Sequence, residues 1–113
     1  MLNSDKIALK QILSEIEMGY EIVDEVDIYD FLDDEILKRA LAMTFINMAE
    51  FVISLSKEIR ENTTHMPWLF IVDIRDTIIH NYQTFKMQVL YNIVKVEFTA
   101  LKFELEKILE MDS

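Results

Sequence analysis

The sequence has no cysteine, a single glycine (Gly19) and a single proline (Pro67) in 113 residues. Without cysteine there is no disulfide frame and no thiolate metal site. Average usage is about 7% Gly and 5% Pro, so turn-forming residues are nearly absent here. A sandwich or barrel needs a turn every few residues, and an all-β fold is thereby excluded. Basic residues are missing from one long stretch. Between Gln11 and Leu37 there is no Lys or Arg, yet that stretch holds Glu15, Glu17, Glu21, Asp24, Glu25, Asp27, Asp30, Asp33, Asp34 and Glu35. A long hydrophobic run is missing too. Ala40–Ser56 is interrupted by Asn47 and Glu50 and falls short of the ~20 apolar residues that span a bilayer. Met1–Lys10 lacks a basic segment followed by an apolar one, so no signal peptide is read and a cytoplasmic protein is expected. The Asn62-Thr63-Thr64 sequon is then a coincidence in a polar loop. There is no Gly-rich phosphate loop, nucleophile elbow or zinc motif. The acids of Asp30–Glu35 lack the spaced ligands and glycine of a calcium loop and read as a solvated cap. No metal and no cofactor are expected.

What is present favours helices. Hydrophobic residues make up 51% of the chain, which excludes intrinsic disorder. The length suits one domain over 1–113, burying roughly two-thirds of the surface that the unfolded chain exposes. Acids exceed bases by 21 − 11 = 10, giving a net charge of −10. Such a surface repels nucleic acid at long range, and DNA is not expected as a partner. From Lys57 onward the charges nearly balance, so an anion-binding surface belongs to the second half.

Apolar periodicity sets the elements. Leu9, Leu13, Ile16, Tyr20 and Val23 recur with gaps of four and three, predicting an amphipathic helix over 4–26 with Ser4 as N-cap. Gly19 inside it costs about 1 kcal/mol relative to Ala and would permit close approach of a neighbour. Asp27–Asp34 reads as a short acidic turn or helix, with Asp33 or Asp34 capping the next helix. Two adjoining apolar stripes predict a long helix over 35–61, with Asn47, Glu50 and Ser54 left for water. Asn62–His65 reads as a loop, and His65 as a solvent-exposed residue within it. Pro67 suits a helix start, and 68–80 reads as a helix of about three turns. A final helix over 84–111 shows two apolar lines, one to pack on its own bundle and one for a second subunit. The expectation is an all-α, up-and-down bundle of four main helices plus a short acidic one, forming a homodimer. Trp68 and the tyrosines read as core or interface.

One stretch carries candidate chemistry: Arg75-Asp76-Thr77-Ile78-Ile79-His80-Asn81-Tyr82. Histidine titrates near neutrality and serves as a general acid or base. Arginine stays charged and binds phosphate oxygens through a planar fork. The plain alternative is a set of surface charges, with His80 at a helix C-terminus and Asp76 paired to it at i,i+4. Five residues on an ideal helix amount to a rotation of about 140° beyond one turn, so Arg75 and His80 would not share a face. Either the helix ends tightly between them, or residues of two subunits meet.

Pro67-Trp68 followed by Arg75, His80 and Tyr82 at these spacings resembles the signature of the HepT-like branch of the HEPN superfamily, in which R-x-x-x-x-H-x-Y follows a Pro-Trp. Asp76 fits the polar residue that follows the arginine. The resemblance extends to Asp27–Glu35 and to Leu55–Glu58. It implies a small dimeric helical bundle and, for many members, a metal-independent ribonuclease acting on RNA. Such proteins are often the toxin of a toxin–antitoxin pair, whose minimal nucleotidyltransferase partner attaches AMP to the motif tyrosine. On this sequence those roles fall on Arg75 and His80 as catalytic residues and Tyr82 as the modified one, with Asp76 and Asn81 in support. Asn81 departs from the glycine often found there. Because Gly and Asn most readily adopt the left-handed conformation that ends a helix, Asn81 is expected to do the same task. The alternative function is a non-catalytic helical subunit that binds a nucleotidyltransferase.

Overall fold

The computed structural model describes residues 1–111, and all their regular structure is helical: α1 (Asn3–Val23), α2 (Ile28–Asp33), α3 (Glu35–Ser54), α4 (Lys57–Asn62), α5 (Trp68–His80), α6 (Gln88–Val96) and α7 (Phe98–Met111). The all-α bundle expected from the sequence is what the chain forms. Helix α3 is the spine, packing on α1 along one flank and on α5 along another, while α6 and α7 close over α1. Leu9, Ile12, Ile16, Phe31, Leu41, Phe45, Met48, Leu90, Phe98 and Leu105 are fully or almost fully buried and form one core. Among the described residues, no helix is long and apolar enough to cross a membrane.

Local chemistry explains most boundaries. The Asp27 carboxylate accepts from the Asp30 N–H at 2.8 Å and starts α2. Asp34 accepts from the N–H groups of Ile36 and Leu37 and starts α3. Each satisfies donors that a helix N-terminus leaves unpaired. Ser4, by contrast, is not a cap. Helix α1 begins at Asn3 from an extended Leu2, with no side-chain cap hydrogen bond. Gly19 does permit a close approach: a Cβ there would lie 2.7 Å from Cε2 of Phe98. The Phe98 ring is stacked on Phe45 at 5.5 Å and meets Tyr20 edge-on at 6.0 Å.

The two long helices expected from periodicity are each divided. The first ends at Ser54, passes through extended Leu55 and Ser56, and restarts as α4. The cause is tertiary. Buried Asp5 of α1 accepts from the Ser56 N–H at 2.8 Å and the Ser56 hydroxyl at 2.6 Å, and Ser56 Oγ in turn accepts from the Ile59 N–H. Helix continuation would deny Asp5 both partners, and an unpaired buried carboxylate is costly. The last helix begins at Gln88 rather than Thr84 and is interrupted at Glu97, next to the point where Phe98 enters the core. Between α4 and α5 the chain is clasped by a relay. The Trp68 indole N–H donates to Thr63 Oγ1 at 3.0 Å, and the Thr63 hydroxyl donates to the Ile59 carbonyl at 2.6 Å. Trp68 is thus a core residue that fixes where α5 starts.

Candidate active site

Helix α5 presents Ile71, Ile74 and Ile78 to the core. That register turns Arg75 toward α3. Its Nη2 lies 2.7 Å from Oε1 of Glu50, and its Nη1 lies 2.9 Å from Oδ1 of Asp76. Asp76 raises the Arg75 pKa above its ordinary value, burial works against that rise, and Glu50 adds to it. The guanidinium therefore keeps its charge at any physiological pH. Its Nε is buried and has no hydrogen-bond partner among the described residues. Two carboxylates around one guanidinium leave the local charge at about −1, so a phosphate must displace one of them. Both carboxylate side chains are about half exposed. Pairs of that kind contribute little net free energy in water, and exchange for a phosphate is open to them.

Helix α5 runs unbroken through His80, and the Asn81 N–H donates to the Thr77 carbonyl at 3.0 Å. A tight helix end between Arg75 and His80 is thereby ruled out. Within one chain the two residues lie on different flanks: Arg75 faces α3, while His80 is exposed and its side chain makes no hydrogen bond or ion pair among the described residues. Asp76 is paired with Arg75 and not with His80. The left-handed conformation expected of Asn81 is also absent. Its φ is −137° and its ψ 38°, and Glu25 is the non-glycine residue with positive φ among the described residues. The reason lies downstream. The Asn81 carbonyl accepts from the N–H groups of Thr84 and Phe85 at 3.0 and 2.9 Å, so it opens a further helical turn. Tyr82 is half-buried in that turn, beneath the Arg39 guanidinium, which lies 5.7 Å from its ring centroid. Its hydroxyl has no hydrogen-bond partner among the described residues.

Sequence reasoning missed Glu50 and Arg39. Glu50 is the one charged residue in the run Ala40–Ser56, which was a visible signal, but its partner becomes apparent only once α3 and α5 are in register. An apolar cleft of about 370 Å³ lies on the other flank of α5, between it and α6–α7. Its walls are apolar, and His65 at its edge is tied to Glu104 at 3.4 Å. It offers nothing to Arg75 or His80.

The family model described as "Ribonuclease HepT-like" matches residues 11–108. The chain belongs to the HepT-like ribonuclease family. A relative in Caldanaerobacter subterraneus subsp. tengcongensis, named a putative RNase, is 31% identical over 104 residues, covering 92% of this chain and 93% of the relative. A relative in Thermococcus cleftensis, named a probable ribonuclease HepT, is 28% identical over 108 residues, covering 96% and 98%. A protein of Methanocaldococcus jannaschii, named a gamma-glutamylcyclotransferase and putative RNase, is 30% identical over 105 residues, which span 93% of this chain but 47% of that protein. No solved structure matches the chain at a comparable level of significance. Both Arg75 and His80, with Tyr82 beyond them, fall inside the HepT-like match.

Proposed function

We propose that this HepT-like protein is an endoribonuclease that cleaves RNA without a metal ion, as the toxin of a pair with a minimal nucleotidyltransferase. The observation that carries the reading is the charged Arg75 held at the α3–α5 face, with exposed His80 further along the same helix.

In the proposed reaction Arg75 binds the non-bridging oxygens of the scissile phosphate. One histidine accepts the 2′-hydroxyl proton, and the 2′-oxygen attacks phosphorus. The bond to the 5′-oxygen breaks, and a second histidine donates a proton to that oxygen. The products are a 2′,3′-cyclic phosphate and a 5′-hydroxyl. A homodimer supplies both histidines and removes the difficulty that Arg75 and His80 of one chain do not share a face. The surface favours contact near Arg75. Ile53 of α3 and Leu69 of α5 are large exposed apolar residues, and with Val72 and Trp68 they line one open hollow beside α5. Phe103 and Val96 of α6–α7 are exposed as well, but they sit on helices that carry neither Arg75 nor His80. A dimer through Ile53, Leu69 and Val72 leaves His80 and Tyr82 open to substrate.

Tyr82 is the proposed site of AMP attachment by the partner enzyme. An added nucleotide places a phosphate charge beside Arg75 and His80 and blocks RNA by volume and by charge. Induced expression is expected to arrest growth, with Arg75→Ala and His80→Ala relieving the arrest. Coexpressed nucleotidyltransferase should silence the wild type and add the mass of AMP to it. The second reading, a non-catalytic subunit, is favoured by the net charge of −10, which doubles in a dimer. It predicts no growth arrest from any of these forms.

A further inference from the structure

We propose that the hollow between Arg39, Ala42, Met43, Ile46 and Tyr82 is a subsite for one unpaired RNA base. The proposal rests on RNA being the substrate and adds a site that the Arg75–His80 pair does not supply. The hollow is shallow and open to solvent, with a volume of about 250 Å³, below the ~300–1,000 Å³ of pockets for drug-sized ligands, so it offers a face for one ring system rather than a closed pocket. It opens two residues along the chain from His80, and it is lined by no carboxylate. Two planar groups bound it: the Tyr82 ring and the Arg39 guanidinium 5.7 Å from that ring's centroid. Met43, more than half exposed, and Ile46 give it an apolar floor. An aromatic face, a guanidinium plane and an apolar floor are the surfaces on which unstacked bases of single-stranded RNA are held. Arg39 is free to turn toward a base or its phosphate. Its ion pair, to Glu35 at 3.3 Å, joins two exposed side chains one turn apart on α3, and such pairs hold weakly. The subsite also gives an acidic protein a grip on RNA that does not depend on long-range charge, which is screened beyond about 8 Å at physiological salt.

The test is binding of a fluorescent, fully 2′-O-methylated RNA oligonucleotide, followed by anisotropy, because methylation removes the nucleophile and separates binding from cleavage. A single abasic nucleotide is moved through the oligonucleotide one position at a time. Loss of one stacked base is expected to weaken wild-type binding about tenfold at one position near the middle. Arg39→Ala and Tyr82→Ala should each weaken binding of the intact oligonucleotide by a comparable factor and show no further loss at that same abasic position. Arg39 is exposed on α3, so its variant tests the subsite even if Tyr82→Ala unfolds. Tight binding and cleavage of unmethylated RNA with no position sensitive to base removal, or Arg39→Ala binding like the wild type, overturns the subsite and leaves the ribonuclease reading standing. Failure of the wild type both to bind and to cleave RNA overturns the two together.

Discussion

Nη2 of Arg75, on α5, lies 2.7 Å from Oε1 of Glu50, on α3. The residue proposed to bind phosphate is thus held by a carboxylate from the neighbouring helix, and the pair both aims the guanidinium and competes with an incoming phosphate. Glu50→Gln keeps a hydrogen-bond acceptor and removes a negative charge. RNA affinity should rise a few-fold in an anisotropy titration, and the rise should shrink as salt is added. Unchanged or weaker RNA binding by Glu50→Gln would contradict the competition.

Asp5 is expected to be the most consequential polar residue outside the site. It is 2% exposed and receives both the N–H and the hydroxyl of Ser56. Asp5→Ala leaves the Ser56 N–H unsatisfied at the α3–α4 junction. A lost buried partner of this kind costs about 1–3 kcal/mol. At about 4 °C per kcal/mol for a domain of this size, calorimetry should show a Tm lower by roughly 4–12 °C. Asp5→Asn keeps one acceptor and should lose less.

Gly19→Ala sets two effects against each other. Alanine gains about 1 kcal/mol of helix propensity. Its Cβ would meet Cε2 of Phe98 at 2.7 Å, so the buried ring, which contacts Phe45 and Tyr20, would have to shift. Overpacking of this sort costs typically 1–3 kcal/mol. The clash should win, and urea unfolding should show a lower midpoint. A higher midpoint would mean that Phe98 moves freely.

The carboxyl of Glu35 is held below its ordinary pKa by its hydrogen bond and charge interaction with Lys38, aided by Arg39. A depressed carboxylate contributes stability above its unfolded pKa and loses it as pH falls through the lower folded value. Glu35 is exposed, so the effect is small. Thermal melts should show Glu35→Gln below the wild type at pH 7, with the gap closing as pH drops below about 4. A gap that widens in acid would contradict this sign.

What was legible in the sequence was local. The span 68–80 of α5, the Asp34 cap, the close approach at Gly19 and the burial of Trp68 all stem from residues within a few positions of one another, or from a missing side chain. The division of the second long helix was not legible, because Asp5 and Ser56 lie 51 residues apart and nothing in either neighbourhood marks the bond. Asn81 misled for a related reason. Its propensity for the left-handed region was real, but its carbonyl is engaged by Thr84 and Phe85, and a following turn decided the conformation. Arg75, His80 and Tyr82 could be picked out by spacing. Glu50 and Arg39 could not, since each owes its place at the site to the packing of α3 against the α5 segment.

Cleavage by the purified protein in the presence of a chelator tests the central claim most directly. Labelled single-stranded RNA is incubated with the wild type, Arg75→Ala and His80→Ala, with Tm recorded for each. The wild type should cut it to fragments ending in 2′,3′-cyclic phosphate. Each variant should lose at least about 100-fold in rate, the scale of one acid–base group for His80 and of one charge-stabilising donor for Arg75. Because His80 is exposed and unpartnered, His80→Ala should melt within a few degrees of the wild type. Cleavage that stops on chelation, or that survives both substitutions, would contradict a metal-independent reaction carried by Arg75 and His80.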